Sequence, residues 1–402
     1  MHPRAILTIG NFFSVAHFYL IIFILAPYLA TLMPEAYTGL VIAGGALVTL
    51  ALFPSAPKII ARVGARKLGL VCGGLEALIL FLLACTIPPT FAIILSGMAC
   101  ALSPFIAYSL DLLLEATVRQ SEEASTGKIR TAFLTAGNVA LVAAPLLTGM
   151  LLDDGNAYHY VFLAASVSLI PFLFLFATQT FPEGSEPKTS NIRQTLWHIQ
   201  HSKDLRSVIG ANSVLQFFYH LAPVYVPLYL HNVLHIPWSS LGWIFSIALI
   251  PFILIEYPAG AIADRFLGDK KLLVLGFIIA GISFALVGLL TSTTPLIILV
   301  LILVATRVGA ALIEAMTEGH FFRRVSERDA DTVSVFRMGR PFAALVGPLL
   351  GSVILGVTGY TALFFITGTI ILVLGILCTY GIQDVTKITV VSRSEFPQNP
   401  PA

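Results

Sequence analysis

The positions of the basic residues constrain this chain more than any other feature. Of its 23 Lys and Arg residues, all but Arg307 fall at one alternating set of the connections between twelve long apolar stretches. These connections carry Lys58, Arg62, Arg66 and Lys67; Arg119, Lys128 and Arg130; Lys188, Arg193, Lys203 and Arg206; Arg265, Lys270 and Lys271; and Arg323, Arg324, Arg328, Arg337 and Arg340. Arg4 precedes the first stretch, and Lys387 and Arg393 follow the last. Cytoplasmic loops of membrane proteins collect Lys and Arg, so the pattern reads as a topology map with both termini and all these connections in the cytoplasm.

Composition agrees, because 11% charged residues is far below the roughly 25% of soluble domains. Spans are expected at Ala5 to Met33 and near residues 38–57, 68–87, 89–114, 130–152, 158–178, 206–231, 238–262, 271–291, 295–319, 333–356 and 360–382. Most reach the roughly 20 residues a helix needs to cross hydrocarbon. The runs do not alternate, which excludes a closed β-barrel. The first is longer than the roughly 7 to 15 apolar residues of a signal-peptide core and lacks a cleavage site, so it is read as a retained span. The fold class expected is all-α integral membrane, a multi-pass protein of a prokaryotic inner membrane.

Several classes drop out. Cys72, Cys85, Cys100 and Cys378 lie inside apolar stretches and suggest neither disulfides nor a zinc site. His231 with His235, and His198 with His201, lack a third ligand, so no metal or other cofactor is expected. No Gly-rich phosphate loop occurs, which argues against ATP as the energy source. The net charge of +2 follows from the loop bias and implies no nucleic-acid partner.

Shifted by 203 residues, the chain matches itself. Gly39 falls on Gly242, Arg62 on Arg265, Lys67 on Lys270, Asp111 on Glu314, Glu115 on Glu318, Phe133 on Phe336, and Pro145 to Leu147 on Pro348 to Leu350. His17 falls on His220. Two six-span halves with one orientation follow, residues 1–178 and 206–383, joined by a polar cytoplasmic linker 179–205 and followed by a tail, 384–402, expected to be disordered. Parallel repeats place a substrate site between the halves near mid-membrane and let the halves rock around it.

The connection Gly260-Ala-Ile-Ala-Asp264-Arg265-Phe-Leu-Gly268-Asp-Lys270-Lys271 resembles the signature loop of the major facilitator superfamily, with one extra residue. Its counterpart from Pro57 to Lys67 keeps Arg62, Gly64, Arg66 and Lys67 but lacks the first Gly and the Asp. The family's fifth-span exporter pattern, Gly-Pro-x-x-Gly-Gly, is partial in Ala144-Pro145-Leu-Leu-Thr148-Gly149 and in Gly347-Pro348-Leu-Leu-Gly351. The fourth span lacks the Arg usual in drug:proton antiporters of that branch. A Gly/Pro pair also serves close packing and a mild kink. The resemblance covers essentially the whole chain and implies twelve helices in the major facilitator fold, working by alternating access.

Ionisable groups at membrane depth cost at least roughly 2.5 to 3.5 kcal/mol each, so each needs a partner or a wet cavity. Arg307 is the only deeply placed basic residue. Arg307, Ala311, Glu314 and Glu318 share one helix face, and the repeat puts Pro104, Tyr108, Asp111 and Glu115 on the matching face of the fourth span. Arg307 and Glu314 are about 10 Å apart along the axis, so an anionic solute group, a water or Glu256 could lie against Arg307. Candidate substrate or proton residues are therefore Arg307, Glu314, Asp111, His17, His220, Glu256 and Tyr108. Candidates for a cytoplasmic gate are Asp264, Arg265, Glu115, Glu318, Arg62, Arg130, Arg337 and Arg340. Glu76 reads as structural, satisfied by a basic residue of the inner face.

The reading favoured is a monomeric, proton-coupled secondary transporter exporting a small lipophilic or drug-like compound. A carrier of a small anionic metabolite held by Arg307 is the alternative. A membrane-embedded enzyme lacks a convergent nucleophile or ligand set, and a non-transporting sensor fits poorly with such short loops.

Overall fold

A computed structural model describes residues 3–119, 123–152, 155–179, 181, 192–263, 268–325 and 330–383. The described residues form helices and connecting turns. The first span is broken at Phe23 and Ile24 into α1 (Pro3–Ile22) and α2 (Leu25–Ala30). It is followed by α3 (Glu35–Leu52), a short α4 (Ala56–Val63), α5 (Ala65–Ala84), α6 (Pro89–Arg119), α7 (Glu123–Leu152) and α8 (Tyr158–Thr178). The second series is α9 (Ile192–His201), α10 (Lys203–Leu228), α11 (Trp238–Ile262), α12 (Asp269–Val287), α13 (Leu296–Arg324), α14 (Ala330–Thr358) and α15 (Tyr360–Thr379).

Eleven of the described helical segments are long and apolar enough to cross a membrane. The twelfth span expected, α10, is long enough at 26 residues. Asn212, Ser213, Gln216, Tyr219 and His220 lower its hydropathy, and most of its surface is buried in protein. Arg337 and Arg340, grouped from the sequence with the basic residues of a connection although the expected span began at 333, lie inside α14. Large apolar side chains such as Leu47, Met150, Phe174 and Leu254 are exposed, as expected of a surface that meets lipid.

The repeat is visible in the packing. In the first series α1 packs on α6, α7 and α8, α5 on α6 and α8, and α3 on α6. Each pairing has its counterpart 203 residues on: α10 on α13, α14 and α15, α12 on α13 and α15, and α11 on α13. Gly64 and Gly268, at φ 85° and 77°, make the same left-handed entry into α5 and α12, a conformation that other residues adopt only under strain.

The two series are joined by α7 against α11 and α3 against α14. Gly242 in α11 touches the Pro145 carbonyl in α7, where a Cβ would come within 2.8 Å, and would press equally on Gly149. At the matching contact, a Cβ on Gly39 in α3 would come within 2.5 Å of the Pro348 carbonyl in α14. All four residues lie toward the membrane face opposite the basic one.

Candidate functional site

On that opposite face the two series are clasped by polar contacts as well. Glu35, in the first turn of α3, accepts from Asn232 Nδ2 at 2.7 Å and from the Tyr360 hydroxyl at 2.5 Å. Tyr225 donates to the Pro348 carbonyl at 2.6 Å and bonds Ser352, holding the α14 surface on which Gly39 rests. Deeper in, Phe23 from the first series stacks on Phe245 from the second, with centroids 4.8 Å apart. Toward the basic face the arrangement differs: Asp111 on α6 and Arg340 on α14 are exposed, and Arg340 and Arg337 act electrostatically on Asp111. The polar clasp between the two series given by Glu35, Asn232 and Tyr360 thus lies on the side away from the basic face.

Between these ends lie the residues expected from the sequence. Arg307 is 9% exposed, and its guanidinium lies over the Phe218 ring, 5.0 Å from the centroid. It borders a small void with Phe23, Val226, Phe245, Ala248, Leu249 and Leu303. Glu314, two turns further along α13, accepts from the Tyr219 hydroxyl at 2.5 Å. Tyr19 from α1 lies in the field of both Arg307 and Glu314, so both series contribute to this region. Tyr108 packs its ring on Phe53 at 5.0 Å. His220 Nδ1 donates to the Gln216 carbonyl at 2.8 Å.

His17 and Glu76 are brought together, and this corrects the expectation for Glu76. Glu76 is fully buried, eleven residues into α5, or about 16 Å from its start at the helical rise, too deep for a basic residue of the inner face. Instead its Oε1 accepts from Ser103 at 2.6 Å and lies 3.3 Å from His17 Nε2. Glu76 Oε2 and His17 Nδ1 have no hydrogen-bond partner among the described residues.

Of the gate candidates, Glu318 and Arg337 form an ion pair at 2.7 Å, joining α13 to α14. Glu115 is half-buried, and Arg62 is exposed on α4. Asp264 and Arg265 lie outside the described residues, as do the side chains of Glu256 and Arg130.

Two groupings escaped sequence reasoning. One is the Glu35 clasp. Its signal was an acidic residue on a face without Lys or Arg, where only neutral donors are available. The other is His320, buried between Asp269 at 2.8 Å and Asp204 at 3.1 Å, with Arg323 on Asp269 and Arg324 on Asp204. Carboxylates accept on both sides of the ring, so the fully bonded form is an imidazolium between two carboxylates. Acidic residues at the starts of α10 and α12 and basic ones at the end of α13 also suit the helix dipoles.

Residues 207–398 match the sequence pattern of the Major Facilitator Superfamily. Over that segment, just under half of the chain, the sequence is similar to the superfamily. Among curated proteins it is similar to the "Multidrug resistance protein MdtG" of Salmonella arizonae, 25% identical over 244 residues. That match spans 59% of this chain and 59% of the relative. The nucleoside transporter NupG superposes with a TM-score of 0.75 over 95% of this chain and 99% of that one, at 15% identity. A peptide transporter POT in complex with sulfate gives 0.74 over 94% and 93%, at 16% identity. These structures share the fold with this chain.

Proposed function

We propose that this protein is a proton-coupled secondary transporter that exports small lipophilic or drug-like compounds by alternating access. The observation that carries the reading is the one-sided closure. Glu35, Asn232 and Tyr360 clasp one face, while Asp111 and Arg340 are exposed toward the other. With the basic face in the cytoplasm, this is the inward-open state. The segments 1–178 and 206–383 act as the rocking bodies and 179–205 as the tether. Outward opening releases the Glu35 clasp and brings Asp111 and Glu115 toward Arg337 and Arg340; Arg62, Asp264, Arg265 and Arg130 are further candidates for this gate.

Proton coupling rests on carboxylates set in or near the central region. Glu314 is held by Tyr219 in a region to which both halves contribute, and Asp111 lines the open side. His17, His220 and Glu256 are further candidates for carrying the proton. Export of drug-like compounds is supported by the likeness to MdtG and by an interior lined with Phe23, Phe218, Phe245 and Tyr19. On this reading the protein works as a monomer in a prokaryotic inner membrane, with both termini cytoplasmic.

Internal pH in sealed proteoliposomes with an imposed proton gradient tests the coupling. Addition of a transported compound collapses the gradient in the wild type, and Glu314→Gln abolishes the response. Compound movement that leaves internal pH untouched would remove proton coupling from the account.

A further inference from the structure

We propose that Arg307 binds the anionic group of the solute, so that the compounds carried are small organic anions with an aromatic or branched apolar body. The inference rests on the transport reading and narrows its substrate class. Arg307 is nine-tenths buried, yet among the described residues it has no carboxylate or carbonyl partner; its guanidinium faces the Phe218 ring. A guanidinium carries five donors that suit a carboxylate bidentately, and a π face satisfies none of them. The nearest acid along its helix is committed elsewhere, because Glu314 accepts from Tyr219.

The surroundings define the rest of the solute. The void beside Arg307 is walled by Phe23, Val226, Phe245, Ala248, Leu249 and Leu303, with no second charge. A cation entering here meets an uncompensated positive charge at low dielectric. An anion supplies the counter-charge that the described residues do not. The void is only about the size of one water, so an apolar body must part Phe23 from Phe245. Those two rings belong to different halves. Occupancy is thereby tied to separation of the halves on the closed side.

Three probes of one shape but different charge test this: benzoate, benzamide and benzylamine. Each is offered to the full-length protein, first in detergent for its effect on thermal stability, then in proteoliposomes for counterflow. Benzoate is expected to stabilise and to exchange, the other two to do neither. Arg307→Gln should weaken benzoate binding at least tenfold, and Arg307→Lys, which keeps the charge without the fork, should weaken it less. Benzamide or benzylamine moving without benzoate overturns the anion assignment and leaves the transport reading standing. Benzoate bound through Arg307 with no flux of any probe overturns transport and leaves the anion site. No binding and no flux overturns both. The wild-type comparison among the three probes holds even where Arg307→Gln does not fold.

Discussion

Gly242 on α11 lies against the carbonyl oxygen of Pro145 on α7, and 203 residues away by the same shift Gly39 lies against Pro348. The residues that mark the internal repeat are thus the ones that meet across the two halves. Each glycine lets a backbone approach that any Cβ would block. On the alternating-access reading, closing of this side depends on these two contacts.

Enlarging either glycine should therefore oppose closure. Gly242→Val would force the Pro145 carbonyl and Gly149 away. Overpacking at well-fitted contacts costs about 1 to 3 kcal/mol, enough to shift a two-state equilibrium roughly five-fold or more. The expected outcome is greater labelling of a cysteine introduced at Ala36, on the clasped side, by a membrane-impermeant maleimide, with little loss of folded protein.

Glu35 provides the polar part of the same closure. Glu35→Ala leaves Asn232 and the Tyr360 hydroxyl without their acceptor, whereas Glu35→Gln keeps one carbonyl oxygen for them. Alanine should raise outer-face labelling more than glutamine does. Hydrogen bonds to a charged group contribute about 1.5 to 3 kcal/mol, so the alanine variant should favour the outward-open state several-fold.

Glu76 and His17 form a pair inside the first half, away from the interface. Removing one member of a buried pair costs about 3 to 5 kcal/mol, because the other is left uncompensated. Glu76→Ala should lower the unfolding temperature in detergent well below that of Glu76→Gln, which retains an acceptor for Ser103. Equal melting of the two variants would remove the pair from the stability account.

Tyr219→Phe deletes the donor to Glu314 without changing packing. If Glu314 carries the proton, this substitution should move the pH dependence of flux, and the Tyr160→Phe control, on the exposed face of α8, should not. Flux measured across a pH series distinguishes the two.

Much of this architecture was legible in the residues. Lys and Arg placement gave the spans, and the match of Pro145 with Pro348 gave the two halves, because both features reflect the bilayer and the repeat directly. Glu76 shows where the reading stopped: burial depth was evident, but which helix would offer His17 and Ser103 depends on packing of α1 and α6 around α5. Arg337 and Arg340 were grouped with a basic connection although they fell within the span expected at 333–356, because in sequence charge marks a membrane border, whereas a helix such as α14 can carry charge beyond it. Glu35 was invisible as a clasp, since its partners Asn232 and Tyr360 are 197 and 325 residues away.

Alternating access can be tested directly at Ala36 and Gly356, which face each other across the closed side. A Cβ built on Gly356 lies 3.6 Å from that of Ala36, within the roughly 3.5 to 4.5 Å spacing of a disulfide. Ala36→Cys with Gly356→Cys, in a background with Cys72, Cys85, Cys100 and Cys378 replaced by alanine, would lock that face under oxidation. Counterflow of the probe the wild type carries should stop on oxidation and return on reduction; flux that continues undiminished through the cross-linked protein would contradict the account.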